Sequence, residues 1–246
     1  MRSDNNIELK YKNKPRLGIL GGMGALASSV FYQRLTIRVG QFAKCDQDHI
    51  DLILWSDCSM PDRTACILSG DDSDLLSRCE EDFQILARAG CDAICFPCNT
   101  LHHFFDKLKK LSPVPLLNMV ELTMKYLSNR RNRPQTIQIL GTEGTRKSHV
   151  YREFAEKYGL KIIDVSDEDQ NNLSQYIYEL KNTGRTDFPG LSRMILNNHS
   201  RFGIDCFVLA CTEISCMNLS HDAQLLTFDA MDALVTECIN IFGPKY

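Results

Sequence analysis

"LGILGGMGALASSVFY" (Leu17–Tyr32) is a short apolar run that ends in a glycine turn and opens into an amphipathic stretch. The chain writes this pattern twice. "IQILGTEGTRKSHVYR" (Ile137–Arg152) aligns with it so that Gly21 meets Gly141, Gly24 meets Gly144, Ser28 meets Ser148 and Val30 meets Val150. A second pair follows: "GCDAICFPCNT" (Gly90–Thr100) aligns with "GIDCFVLACTE" (Gly203–Glu213), bringing Gly90 to Gly203, Asp92 to Asp205 and Cys98 to Cys211. An internal repeat of strand, turn and helix is the signature of one supersecondary unit used twice.

Between these anchors, "IDLILWS" (Ile50–Ser56) and "KIIDVS" (Lys161–Ser166) read as further strands. "DLLSRCEEDFQILARAG" (Asp74–Gly90) and "QNNLSQYIYELKNTG" (Gln170–Gly184) read as helices closed by glycine. Strands alternating with helices imply parallel sheets covered on both faces. The expected fold is therefore α/β: two pseudosymmetric α/β lobes with parallel sheets and an active-site cleft between them. The expected divisions are 1–118 for the first lobe, 119–216 for the second, and 217–246 as a segment returning to the first. In parallel sheets, ligands bind at the carboxyl ends of the strands. Gly21, Gly141, Cys98 and Cys211 all fall there, so Cys98 and Cys211 are expected to approach one cleft from opposite sides.

Composition narrows the function classes. The 246 residues carry a net charge of −3, and the basic run "RRNRP" (Arg130–Pro134) reads as a solvated loop, so no nucleic-acid surface is expected. No apolar run reaches membrane-spanning length, and the N-terminal stretch is polar without a signal-peptide core. A cytoplasmic protein is expected. Eleven irregularly spaced cysteines read as thiols rather than a disulfide framework. The single C-x-x-C, Cys95 and Cys98, has no second ligand pair to complete a zinc site, and Cys95 falls inside the strand, where Val208 is its counterpart. The turns "GGMGAL" and "GTEGT" match neither a dinucleotide fingerprint nor a P-loop, though their N–H groups at helix starts suit an anion.

Two opposed thiols have a natural chemistry. One removes a proton from a carbon, the other returns a proton to the opposite face, and the centre inverts. Cysteine suits both roles if a helix N-terminus lowers its pKa. His102 and His103 read as structural, Glu213 as a carboxylate complementing a helix N-terminus, Phe104–Phe105 as core, and Trp55 as functionally silent.

With those residues in hand, the chain resembles the aspartate/glutamate racemase family of cofactor-independent amino-acid racemases, nearer its aspartate-racemase branch. The resemblance rests on "LGILGGMGALA" (Leu17–Ala27), "MPDRTACILSG" (Met60–Gly70), "FPCNTLHHFFD" (Phe96–Asp106), "LLNMVE" (Leu116–Glu121), "ILGTEGTRKSHVY" (Ile139–Tyr151), "IYELKNTG" (Ile177–Gly184) and "LACTEI" (Leu209–Ile214). It implies that Cys98 and Cys211 are the proton-transfer residues and that Asn99, Thr100 and Thr212 hold the substrate's α-carboxylate and ammonium. It further implies that Arg63 and Lys181 receive a distal carboxylate, and that Met23 and Thr145 line the cleft. No pyridoxal phosphate, other cofactor or metal is implied, the substrate is a small amino acid, and a homodimer is expected. Two departures stand out: Ala25 where the family often has proline, and Asp57 where it often has asparagine. An acidic Asp57 facing the cleft would oppose an anionic substrate. The rival readings are a superfamily decarboxylase or cis–trans isomerase, and a non-catalytic acidic-ligand binding protein.

Overall fold

The computed structural model describes residues 14–244, so most of the polar N-terminal stretch considered above lies outside the described residues. The first half runs β1 (Arg16–Gly21), α1 (Ala25–Gly40), β2 (Asp51–Ser56), α2 (Arg63–Ser69), α3 (Ser73–Arg88), β3 (Ala93–Cys95), a 3-10 turn (Thr100–Phe104) and α4 (Phe105–Leu111). After α5 (Met119–Ser128), the second half runs β4 (Thr136–Gly141), α6 (Glu143–Ser148), α7 (Arg152–Lys157), β5 (Lys161–Ile162), α8 (Asp167–Thr183), α9 (Pro189–Phe202) and β6 (Cys206–Ala210). A 3-10 turn (Ile214–Cys216), α10 (His221–Leu225), β7 (Thr227–Asp229) and α11 (Ala230–Phe242) complete it.

The strands form two parallel sheets, ordered β2-β1-β3 and β5-β4-β6-β7. The repeat seen in the sequence is thus a repeat of topology, with β1 and β4 in matching positions. Period-two alternation along β1 decides which side chain meets which layer. Leu17 and Ile19 pack with Phe31, Leu35 and Val39 of α1 and with Met231, Leu234 and Val235 of α11. Leu20 points the other way, to Leu75, Phe83 and Leu86 of α3 and Leu108 of α4. The second sheet is covered alike: Phe207 and Leu209 face Leu173, Ile177, Leu191 and Ile195 of α8 and α9, while Ile137 and Val208 face α5 and Ala155 of α7. Each fully buried side chain of this size contributes about 1.5–3 kcal/mol.

The matched aspartates explain part of the repeat. Asp92 Oδ2 accepts the Arg16 N–H at 2.8 Å, and Asp205 Oδ2 accepts the Thr136 and Gln135 N–H groups at 2.8 Å each. In each lobe, then, an aspartate at the foot of one strand pins the start of its neighbour. Gly90 and Gly203, two residues earlier, have φ of 83° and 62°, left-handed values that let each helix stop and the chain turn into the strand.

Three details differ from the sequence expectation. β5 covers only two residues of the expected strand 161–166: the Gln138 side chain takes the Asp164 carbonyl at 3.2 Å, where a longer ladder would have used backbone. β3 stops at Cys95, so Phe96–Asn99 are irregular. Of the segment expected to return to the first lobe, the described residues 217–244 divide, since β7 pairs with β6 whereas α11 packs on α1 and α5.

Candidate active site

The strand ends that carry the two matched cysteines open on one narrow cavity. From the first half it is lined by Met23, Asp62, Arg63, Thr64, Cys98, Asn99 and Thr100; from the second by Thr142, Tyr178, Lys181, Cys211, Thr212 and Glu213. Cys98 and Cys211 are 5% and 4% exposed, so both sulfurs lie in a largely water-excluded place. All eleven cysteines are free, and Cys95, the other half of the C-x-x-C, faces away to Cys238 at 4.0 Å.

Local structure sets the Cys98 side. Asp62 caps α2 by accepting the Ala65 N–H at 2.8 Å, which fixes Arg63 as the first helical residue. The Arg63 guanidinium reaches back to the Pro61 carbonyl at 2.9 Å and lies beside Cys98, while its Nε is buried without a partner in the protein. Burial works against this charge, but Cys98, Asp62 and Glu213 outweigh it and hold the guanidinium pKa above its usual value. Asn99 is arranged similarly: Oδ1 accepts the Tyr151 O–H, and Nδ2 is buried and unpartnered. Two orphaned donors in one cavity wall are costly unless a ligand meets them.

His102 supports this wall from behind. Its Nε2 accepts the Met119 N–H at 3.0 Å, so its Nδ1 carries the proton and donates to the Cys98 carbonyl at 2.9 Å. Burial lowers its pKa to about 4, which keeps the ring neutral, sandwiched between Phe96 and Phe105. This structural role agrees with the reading from sequence.

The Cys211 side differs. The sulfur donates to Glu213 Oε2 at 3.0 Å, and Glu213 Oε1 lies 3.7 Å from Lys181 Nζ. Burial first, and then the Glu213 carboxylate, push the Cys211 thiol well above its ordinary pKa. The expectation that a helix N-terminus lowers this pKa is corrected here: Cys211 is followed by a turn and a single 3-10 turn, not an α-helix. Glu213, read from sequence as a dipole-complementing carboxylate, instead joins Cys211 to Lys181. Burial disfavours the Lys181 charge, yet Glu213 and the two cysteines hold its pKa above the usual value.

Eight of the nine residues singled out from sequence line the cavity: Met23, Arg63, Cys98, Asn99, Thr100, Lys181, Cys211 and Thr212. Thr145 stands one layer back, its hydroxyl 3.2 Å from Thr100 and 3.1 Å from Thr142. Two of the turn N–H groups are engaged internally, Gly22 with Ser28 Oγ at 3.0 Å and Thr145 with Thr142 Oγ1 at 3.0 Å. Asp57 does not line the cavity; its carboxylate accepts from Ser59 at 2.8 Å and faces Arg78. Sequence reasoning missed Asp62, Thr64, Thr142, Tyr178 and the role of Glu213. Position two after the second cysteine was the available signal for Glu213. Among the described residues, no group of His, Cys, Asp and Glu could hold a metal ion, and no helix is long and apolar enough to cross a membrane.

Comparisons with known proteins bear on the family and the fold. A family model described as Asp/Glu/Hydantoin racemase matches residues 20–238. The broad specificity amino-acid racemase RacX of Bacillus subtilis (strain 168) is 24% identical over 232 residues, covering 92% of this chain and 97% of that one. Among solved structures, the aspartate racemase of Picrophilus torridus superposes with a TM-score of 0.78 at 26% identity, over 92% of this chain and 94% of that one. An aspartate racemase homologue from Pyrococcus horikoshii OT3 has the same fold, with a TM-score of 0.70 at 22% identity over 92% and 98%.

Proposed function

The chain belongs to the Asp/Glu/Hydantoin racemase family, and on that premise we propose that it racemises aspartate, glutamate or both by proton transfer between Cys98 and Cys211. The carrying observation is that two buried thiols from equivalent strand ends of the two lobes open on one cavity, between Arg63 Nε and Asn99 Nδ2, which have no protein partner.

In this reading the substrate's α-carboxylate meets Asn99 with Thr100 and Thr212, and a distal carboxylate meets Arg63 and Lys181. The α-carbon then lies between the sulfurs. A guanidinium stands beside Cys98 and a carboxylate beside Cys211, so the resting proton belongs on Cys211. Cys98 as thiolate removes the α-proton from one face, and Cys211 delivers its own to the other. In reverse the protonation states are exchanged: Cys211 as thiolate abstracts from the other face and Cys98, now the thiol, delivers, while Glu213 Oε2, in contact with the Cys211 sulfur, takes and returns its proton between the two states. The carbanion is stabilised by the carboxylate's donors and by exclusion of water. Homodimer assembly and cytoplasmic residence belong to the same reading; the exposed Tyr32 and Ile37 of α1, with Phe42 just beyond, offer apolar surface for a second copy.

The Lys181–Glu213 pair favours a second reading, on substrate breadth. Because Lys181 already has a carboxylate partner and keeps access to solvent, a neutral side chain in the cavity does not leave an unpaired cation. The two are separated by one experiment. Purified protein is incubated in D2O with each enantiomer of aspartate, glutamate and alanine; the enantiomers are resolved and α-deuterium counted. Conversion of the acidic pair alone supports the first reading, conversion of all three supports the broader one, and no conversion or exchange refutes both.

A further inference from the structure

Aligning the two copies of the repeat brings Phe31 to Tyr151. Phe31 is fully buried against α11 and β1, and Tyr151, 2% exposed, is buried in the equivalent layer of the second lobe. The two rings do the same packing. Only the hydroxyl distinguishes them, and that hydroxyl crosses to the first lobe, where it donates to Asn99 Oδ1. Burial raises the Tyr151 pKa far above its ordinary value, so the phenol remains protonated and available as a donor.

The approach of Tyr151 is built by its own segment. α6 is closed by His149, at φ 53° in the left-handed region, uncommon for a non-glycine residue though histidine is among those that adopt it. Arg152 holds this turn, its Nε donating to His149 Nδ1 at 3.1 Å and its N–H to the His149 carbonyl at 2.8 Å. This reversal turns the chain so that Tyr151 faces Asn99.

A carboxamide has nearly the same shape in either orientation, so its hydrogen-bond partners decide which end faces a ligand. With Oδ1 taken by a phenolic donor, Nδ2 is the end left for the cavity, and Nδ2 is buried without a partner. We infer that Tyr151 is a positioning residue for substrate binding: its hydroxyl orients the Asn99 amide so that Nδ2 meets the substrate carboxylate. This rests on the reading of Asn99 as a ligand of that carboxylate.

The test is a double-mutant cycle on the full chain, with Tyr151→Phe, Asn99→Ala and the pair together. Phenylalanine already fills the equivalent place in the first lobe, so Tyr151→Phe is expected to fold. It should raise KM about tenfold with a smaller change in kcat, and Asn99→Ala should raise KM at least as far. The double variant should bind no worse than Asn99→Ala, within about twofold. Asn99→Asp, which keeps an acceptor for Tyr151 but offers the substrate an oxygen, should raise KM at least as much as Asn99→Ala. If Tyr151→Phe leaves KM unchanged, or its loss multiplies that of Asn99→Ala, Tyr151 does not act through Asn99. If Asn99→Ala itself leaves KM unchanged, the ligand role of Asn99 fails and the inference with it. A merely structural Tyr151 would lower the melting temperature without this KM pattern.

Discussion

Replacing Gly144 with alanine tests how closely the lobes must meet. Gly144 lies in α6 of the second lobe, and a Cβ there would come within 2.7 Å of Thr64 Oγ1, 2.9 Å of Thr100 Cγ2 and 3.0 Å of Thr64 Cα. Carbon atoms in contact normally stand about 3.5–4.0 Å apart, so α2 must withdraw by roughly 0.5–1 Å. Overpacking of this kind costs about 1–3 kcal/mol, and alanine's better helix propensity returns up to about 1 kcal/mol. The net loss, on the order of 1–2 kcal/mol, leaves a domain of ordinary stability almost wholly folded. Activity should suffer more. Thr64 follows Arg63 in α2, and a misplacement near 1 Å costs up to about 10²-fold in rate. We therefore expect kcat/KM to fall about 10- to 100-fold while urea unfolding shifts modestly. Wild-type kcat/KM in a variant whose unfolding midpoint has dropped would show that the α2–α6 contact does not set the geometry of the site.

Cys98→Ala and Cys211→Ala should each lower racemisation at least about 10²-fold, yet each should keep deuterium exchange at Cα of one enantiomer, of opposite hand in the two variants; exchange of the same hand in both refutes opposed thiols. Because the Cys211 thiol is held protonated, mass mapping after brief iodoacetamide treatment should find Cys98 alkylated before Cys211. Glu213→Gln removes the carboxylate that raises the Cys211 pKa, so alkylation of Cys211 should speed up and begin at lower pH while kcat/KM drops about 10²-fold; unchanged turnover would remove Glu213 from the proton path. His102, held neutral with a pKa near 4 against about 6.5 when unfolded, binds fewer protons folded than unfolded between those values. Stability should therefore fall by on the order of 3 kcal/mol as pH drops from about 6.5 to 4, and thermal melts of His102→Gln should lack that part of the slope.

Much of the fold could be read from sequence because the repeat pairs residues that perform the same task twice. Asp92 and Asp205 pin strands, and Cys98 and Cys211 stand just past equivalent strand ends. What escaped was whatever depends on direction rather than spacing. Glu213 follows Cys211 by two, but only a chain that leaves the strand without entering an α-helix turns its carboxylate back to that sulfur. Thr145 was expected in the cavity wall; a hydroxyl triangle with Thr100 and Thr142 holds it behind. Tyr178 lies three residues from Lys181 on α8, about one turn, yet the spacing alone does not say which face of α8 meets the other lobe.

The unlike surroundings of the two sulfurs carry a kinetic consequence. Enantiomers have equal free energy, so their equilibrium constant is one and kcat/KM must be identical in the two directions. That constraint does not extend to kcat or KM taken singly. On the proposed mechanism, an enzyme that rests with its proton on Cys211, beside a carboxylate, is ready for the enantiomer whose α-hydrogen faces Cys98. It leaves each turnover with the proton on the wrong sulfur. Before the same enantiomer can react again, that proton must cross back, and the crossing is uphill in one sense and downhill in the other. At saturating substrate the crossing becomes visible. Progress curves begun from the two pure enantiomers should bend differently on their way to the same one-to-one mixture, an asymmetry written into a pseudosymmetric fold by Arg63 on one side and Glu213 on the other.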